Sequence, residues 1–283
     1  MAEVATFARS DQLLVVIDPV ARRTDGESVR IAKDVLSAGA TTKVCLPEDG
    51  DEFARALVRR GARRPVVIGD DGALLRAVSL LHRQRQLAEC VLSVVPVGGA
   101  LSLAASLGVP LGAVAAARAA LDGAERRLDL LVDDSDGVVL GALRIPPARD
   151  PAVPAGATAL GPRPWLRTCQ SLVRTLVPAR GTPAADSAGP SRLRIEVDGD
   201  TLIDLDEPVD AVSVTPGASG VAAVEVHRVS VGAAAVPLRA EGRTVTVSGA
   251  HFRYRADASV SGPVRRRTWT VGEGALRLVL PGH

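Results

Sequence analysis

The sequence predicts an α/β N-terminal domain with a mostly parallel three-layer sheet, followed by a C-terminal domain that is antiparallel and β-sandwich-like. Two observations support this fold class. Before Gly123, short apolar runs alternate with helix-like segments, which is the pattern of a parallel sheet with right-handed crossovers. After Gly123, short strands are separated by turn signals, which is typical of antiparallel sheets. We therefore predict one domain at residues 1–124 and a second at residues 125–283.

The N-terminal elements are predicted from apolar runs and from the residues that stop helices. The continuous run at residues 13–17 predicts a strand that is buried on both faces and ends in a loop at Asp18 and Pro19. Further strands are predicted at 41–46, 65–68 and 91–95, and helices at 27–38, 49–60, 74–87, 102–107 and 113–121.

The C-terminal elements are predicted from short apolar runs and turn residues. Two strands flank a hairpin-like turn at residues 133–137, and an amphipathic helix is predicted at 165–177 between two linkers rich in Pro, Ala and Gly. The later strands are predicted at 193–197, 211–214, 222–226, 244–247, 268–271 and 276–280. The last of these can fold back onto the first domain.

Composition excludes several classes of protein. The 283 residues carry 34 basic and 32 acidic side chains, so no global charge marks a nucleic-acid partner. Cys45, Cys90 and Cys169 are odd in number and widely spaced, which indicates neither a disulfide framework nor a zinc site. The sequence shows no export signal and no apolar stretch of transmembrane length, so we expect a cytoplasmic protein.

Two glycine loops are the main candidate site. Residues 66–73 read Val-Val-Ile-Gly-Asp-Asp-Gly-Ala, and residues 94–100 read Val-Val-Pro-Val-Gly-Gly-Ala. Each is a strand that runs into a glycine turn, where backbone N–H groups and the positive end of the next helix can hold phosphate. The candidate nucleotide-binding residues are Asp18 at the end of the first strand and, in the two loops, Gly69, Asp70, Asp71, Gly72, Gly98 and Gly99.

These loops, together with Asp18-Pro19 and the β-rich C-terminal half, resemble the bacterial diacylglycerol kinase family over nearly the whole chain. In that family the first strand ends in Asn-Pro, the nucleotide loop reads Gly-Gly-Asp-Gly-Thr, and a third motif reads Pro-Leu-Gly-Thr-Gly-Asn-Asp-Phe-Ala before Leu-Gly-Ile-Pro. Here residues 96–104 read Pro-Val-Gly-Gly-Ala-Leu-Ser-Leu-Ala, and Leu-Gly-Val-Pro follows at 107–110 without an insertion. The resemblance implies an ATP- and Mg²⁺-dependent kinase that phosphorylates the hydroxyl of a diacylglycerol-like lipid, peripherally at a membrane surface.

The residues that depart from the family pattern lie in the motifs that carry the family's chemistry. Asp70 stands for the second Gly of the nucleotide loop, and Ala73 for its Thr. In the third motif, Gly99, Ala100 and Leu101 stand for Thr, Gly and Asn. An added carboxylate repels a triphosphate, and lost hydroxyl and amide groups remove hydrogen bonds to it. These changes favour weak or absent catalysis.

The family's Asp-Gly-Glu near the C-terminus resembles Asp257-Ala258-Ser259, which keeps Asp257 but not the carboxylate proposed as general base. The resemblance therefore implies Asp257 as the catalytic candidate, while a surface role is the alternative. For the whole protein, two hypotheses remain: a lipid kinase, or a pseudokinase that binds nucleotide or lipid or serves as a scaffold. A relative of the NAD kinases is a third, disfavoured because residues 96–110 follow the lipid-kinase pattern.

Each of the other polar groups has both a functional and a structural interpretation. Asp71 can line the phosphates or cap the next helix, and Asp18 can contact the nucleotide or simply end its strand. The aspartates in the 133–137 turn are read as a solvated turn rather than a metal site. Residues 265–267, three arginines beside Trp269, can dock on anionic lipid or form a solvated strand. We expect no metal bound by a dedicated protein site, and the sequence predicts no oligomeric state.

Overall fold

The computed structural model describes residues 12–147, 190–229 and 236–282. The first part of the chain alternates strands and helices. Its elements are β1 (Gln12–Ile17), α1 (Pro19–Thr24), α2 (Gly26–Gly39), β2 (Thr41–Cys45), α3 (Gly50–Val58), β3 (Arg64–Gly69), α4 (Asp71–Arg83), β4 (Val91–Pro96), α5 (Ser102–Ser106) and α6 (Ala113–Asp122).

The four strands β4, β3, β1 and β2 lie side by side in that order and run parallel. Alternate residues of β1 point to opposite faces, so that Leu13 and Val15 pack with α2 and α6 while Leu14 and Val16 pack with α3 and α4. Burial on both faces explains why these strands are uninterrupted apolar runs. The predicted α/β character of the N-terminal part is confirmed.

Aspartate side chains begin four of these helices. Asp18, Asp25, Asp49 and Asp70 each accept a hydrogen bond from a backbone N–H in the first turn of the helix that follows. The sequence-based prediction of a loop at Asp18 and Pro19 is wrong, because Asp18 caps α1 and Pro19 occupies its first position, where a missing N–H costs nothing.

The rest of the described chain is almost entirely antiparallel strand. Its elements are β5 (Ala124–Asp133), β6 (Val138–Val139), β7 (Leu143–Ile145), β8 (Ser191–Val197), β9 (Asp200–Ile203), β10 (Pro208–Pro216), β11 (Ala222–Arg228), β12 (Leu238–Gly242), β13 (Thr244–Ala256) and β14 (Ser259–Leu280). A second core is built around Trp269, whose ring stands edge-on to Tyr254 with centroids 5.2 Å apart. The predicted antiparallel C-terminal part is confirmed, and the helix predicted at 165–177 lies outside the described residues.

Strand β14 joins the two parts of the molecule. The segments 268–271 and 276–280, predicted as separate strands, form one strand with an irregularity between Gly272 and Leu276 in its pairing with β5. Near its end, β14 pairs in parallel with β4, with Leu278 opposite Leu92. Both parts of the chain thus share one continuous sheet. In the described ranges, no helix combines the length and the apolar character needed to cross a bilayer.

Candidate functional site

The two glycine loops lie side by side at the carboxyl ends of β3 and β4. Gly69 and Pro96 are paired in the parallel ladder, and the Val97 N–H donates to the Gly69 carbonyl at 3.0 Å. The Asp71 N–H donates to the carbonyl of Ala100 at 2.8 Å. These bonds hold the loops together at the strand ends where ligands bind in open α/β sheets.

The Asp70 side chain lies between the two loops. Its Oδ1 accepts the Ala73 N–H at 3.1 Å and so caps α4. A Cβ built on Gly72 would lie 3.2 Å from Oδ1 of Asp70, and one built on Gly98 would lie 3.1 Å from the Asp70 Cβ. A carboxylate therefore stands beside both glycines, where the family resemblance implies phosphate.

The neighbouring Asp71 is buried, with 3% of its surface exposed. Its carboxylate accepts the N–H groups of Leu103 at 2.8 Å and Ala104 at 3.0 Å, together with the Ser102 hydroxyl at 3.3 Å. Asp71 thus caps α5, about thirty residues away, whereas the following helix α4 is capped by Asp70. The interpretation of Asp71 as the cap of the following helix is wrong for that reason.

Asp18 lies behind the first loop and is 1% exposed. One oxygen accepts the Val20 N–H at 2.9 Å, and the other is paired with the Arg76 guanidinium at 2.7 Å. Arg76 itself lies over the Phe53 ring, 5.5 Å from its centroid. Both oxygens of Asp18 therefore already have partners inside the protein.

Asp257 lies in the turn between β13 and β14, with a positive φ of 49°. Its Oδ2 accepts the Leu140 N–H at 2.8 Å, and its Oδ1 accepts those of Gly141 at 2.7 Å and Ala142 at 3.0 Å. Burial raises the pKa of Asp257, the three N–H groups oppose that rise, and the charge of Asp71 adds to it. The carboxylate is thus enclosed by one backbone loop.

The structure brings most of the sequence-predicted site residues to one place. A Cβ built on Gly141 would lie 2.9 Å from the Leu103 side chain and 3.0 Å from Asp257, so Asp71 and Asp257 converge on the start of α5. Gly99 is exposed, and its position has open space around it. The loop at 140–142 and Arg76 were missed, because neither carries a motif and both act through partners distant in sequence.

The other polar candidates are engaged in structural contacts. Asp133 accepts hydrogen bonds from Ser135 and Gly137, which lower its pKa although burial opposes them. Arg267 is paired with Asp134, and Trp269 is fully buried. Only part of the predicted lipid-docking stretch is therefore exposed, and the described residues hold no metal-binding cluster of three or more acidic, His or Cys side chains.

Residues 12–132 match the family model of the diacylglycerol kinase catalytic domain. This N-terminal part of the chain therefore matches a diacylglycerol kinase catalytic domain. The resemblance inferred from the glycine loops is thereby confirmed, since the matched residues contain both loops.

Solved structures of similar fold cover both parts of the chain. A diacylglycerol kinase from Bacillus anthracis str. Sterne superimposes with a TM-score of 0.68 at 12% identity, covering 97% of this chain and 98% of that one. Two structures from the same organism, provisionally assigned as diacylglycerol kinases, give TM-scores of 0.70 and 0.69 at 13% and 15% identity, covering 97% and 99% of this chain and 98% of theirs. A comparison with curated proteins gave no significant match.

Proposed function

We propose that this protein is a pseudokinase of the diacylglycerol kinase type, which keeps the architecture of a lipid kinase and does not transfer phosphoryl groups. The observation that supports this most is the Asp70 carboxylate, which lies beside Gly72 and Gly98 and accepts the Ala73 N–H. An internal anion takes the N–H group that a phosphate oxygen would need. The protein then acts through binding, as a scaffold or a lipid-binding protein.

The residues of the loops do not fit a triphosphate. At an effective dielectric near 20, a like charge at 4 Å costs about 4 kcal/mol, and each phosphate oxygen near Asp70 meets this repulsion. Ala73 is fully buried against Gly69 and carries no hydroxyl, and Leu101 offers no hydrogen bond from its side chain. ATP therefore meets a like charge at Asp70 and lacks the polar partners that the family pattern supplies.

The same carboxylates fit Mg²⁺ poorly. Both oxygens of Asp71 and both oxygens of Asp257 accept backbone N–H groups, and these bonds occupy lone pairs that a cation would need. Hard cations need free oxygen ligands. Asp257 accepts the N–H groups of residues 140–142. We propose that it positions this loop instead of acting as a catalytic residue.

The test is calorimetric titration with ATP and Mg²⁺ of the native protein and of Asp70→Gly. Glycine is a good N-cap, so this substitution costs α4 only a few tenths of a kcal/mol while it removes the charge. We expect no binding by the native protein at millimolar ATP and measurable binding by the variant. Asp49→Gly is the matched control, because Asp49 caps α3 in the same way.

The second candidate is an active lipid kinase that transfers phosphate from ATP to a diacylglycerol-like lipid at a membrane surface. The convergence of Asp71 and Asp257 at α5, and a fold shared over 97% of the chain, favour it. Micromolar ATP binding by the native protein, with phosphorylation of diacylglycerol in mixed micelles, would overturn the pseudokinase proposal. Binding without turnover would instead retain it as a nucleotide-binding pseudokinase.

A further inference from the structure

A large cavity lies at the opposite end of the parallel sheet from the glycine loops. Its volume is about 620 Å³, and it is lined by Arg64 and Pro65 at the start of β3 and by Val91 at the start of β4. The glycine loops follow the last residues of these same strands. Six residues of strand separate the two places by roughly 20 Å. The cavity is therefore distinct from the candidate nucleotide site.

Positive charge is concentrated around this cavity, which we name the basic cavity. Five arginines line it: Arg60, Arg63, Arg64, Arg127 and Arg277. Two glutamates also line it, Glu89 and Glu125, which leaves a surplus of three positive charges. The whole chain has a net charge of only +2. Excess positive charge is thus concentrated at the basic cavity, where it attracts and orients anions.

Neutral groups orient two of these guanidinium groups. Arg60 donates to the Gln86 side-chain oxygen at 2.8 Å and to the Leu57 carbonyl at 3.2 Å, and Arg64 donates to the Ala120 carbonyl at 2.7 Å. These contacts orient both side chains, and the contacts of Arg60 do so without neutralising its charge. A preorganised guanidinium loses less entropy when it binds a ligand.

Strands β5 and β14 form one wall of the cavity, and like charges on these two strands repel each other. Arg127 lies directly opposite Arg277 in the antiparallel ladder, an arrangement of like charges that destabilises a sheet. Glu125 is already held by Arg277 through two hydrogen bonds of 2.6 and 2.8 Å. Burial raises the pKa of the nearby Cys90 thiol, and the charges of Arg60 and Arg277 both oppose that rise. Their fields therefore overlap at this wall.

We infer that the basic cavity binds a phosphate-bearing anion with at least two negative charges. Arginine forks match phosphate oxygens in bidentate geometry, and an anion would relieve the repulsion between Arg127 and Arg277. The volume suits a small phosphorylated molecule or the headgroup of an anionic lipid. Both sources share the same phosphate chemistry. The inference does not depend on what the glycine loops bind.

The first test is calorimetric titration of the full chain with pyrophosphate. The variant Arg63→Gln/Arg127→Gln removes two charges from the cavity, and Arg83→Gln/Arg118→Gln removes two exposed charges elsewhere as a matched control. We expect the cavity variant to weaken binding by about tenfold or more, as the loss of charge-assisted hydrogen bonds implies, and the control to leave it unchanged. Binding of pyrophosphate should raise the Tm of the native protein and of the control.

The second test uses vesicles of phosphatidylcholine with or without phosphatidic acid in a co-sedimentation assay. Sedimentation that needs phosphatidic acid and is lost in the cavity variant identifies a lipid headgroup as the source. Pyrophosphate binding without this sedimentation identifies a soluble phosphorylated compound. The inference is overturned if the native protein binds neither probe, or if the cavity variant binds both as tightly as the native protein. A cooperative melting transition of the cavity variant without ligand shows that it is folded.

Discussion

The aspartates of the candidate site serve as acceptors for backbone N–H groups. Asp18 and Asp70 cap α1 and α4, Asp71 caps α5 from a distant loop, and Asp257 holds the loop at 140–142. Each bond satisfies a donor that would otherwise be orphaned at a helix start or a turn. At the scale of single residues, these carboxylates therefore hold helix starts and a turn in place through backbone N–H groups.

We expect Asp71→Ala to lower the free energy of unfolding by about 2 kcal/mol, because it leaves the buried N–H groups of Leu103 and Ala104 without an acceptor. Urea denaturation followed by circular dichroism measures this change. Asp51→Ala, at an exposed carboxylate in the first turn of α3, is the control and should cost less than about 0.5 kcal/mol. Equal effects of the two substitutions would contradict the assigned role of Asp71.

The raised pKa of Asp257 predicts how stability changes with pH. Because the folded state holds the proton more tightly than the unfolded state, this group adds stability at low pH that is lost as pH rises from about 3.8 through the folded pKa. Asp257→Asn cannot titrate and should lack this component. Across that pH interval, the free energy of unfolding of the native protein should therefore fall relative to that of the variant as pH rises. A parallel dependence on pH in the two proteins would show that Asp257 does not contribute.

The sequence predicts the local motifs of this site but not the contacts between residues that are distant in the chain. The glycine loops were predictable, because strand ends followed by glycines have a local signature. The role of Asp71 was not, since its acceptor function depends on α5 lying beside the loop in three dimensions. The position of Asp257 near Asp71 likewise arises from contacts between distant parts of the chain.

At the scale of elements, the junction of β3 and α4 is closely packed. A Cβ on Gly69 would lie 2.5 Å from the Ala73 Cβ and 2.9 Å from the Asp18 Cβ, whereas a Cβ on Gly99 would meet nothing within 4 Å. We expect Gly69→Ala to destabilise the protein by about 2 kcal/mol through overpacking, and Gly99→Ala to change stability by less than about 0.5 kcal/mol. Thermal unfolding of the two variants tests this. Similar melting temperatures would show that the junction can relax.

Element prediction failed where one local signal had two meanings. Asp-Pro was interpreted as the end of a strand, but the same pair supplies an N-cap and a preorganised first helical residue for α1. Separate strands were predicted at 268–271 and 276–280, although one strand runs through the irregularity between Gly272 and Leu276 in its pairing with β5. Long apolar runs such as β1 left no such ambiguity.

At the scale of the whole molecule, β14 contributes to both cores. Trp269 is buried in the C-terminal core, and Leu278 is buried between β4 and β5 in the core under α4. Since one strand carries both side chains, a loss of packing around Leu278 in the N-terminal core should weaken the packing of β14 in the C-terminal core. The two parts of the chain should therefore unfold in one cooperative transition.

Leu278→Ala tests this coupling, because its cavity lies in the N-terminal core while Trp269 fluorescence reports on the C-terminal core. In a Trp165→Phe background, which makes Trp269 the only fluorophore of its kind, we expect the substitution to cost about 3 kcal/mol. The fluorescence and circular dichroism transitions should move together to lower urea. Leu205→Ala, at a side chain that is 47% exposed, is the control and should shift both by less than about 1 kcal/mol. A shift in circular dichroism that leaves the Trp269 transition in place would mean that the cores unfold independently, and that β14 joins them without coupling their stability.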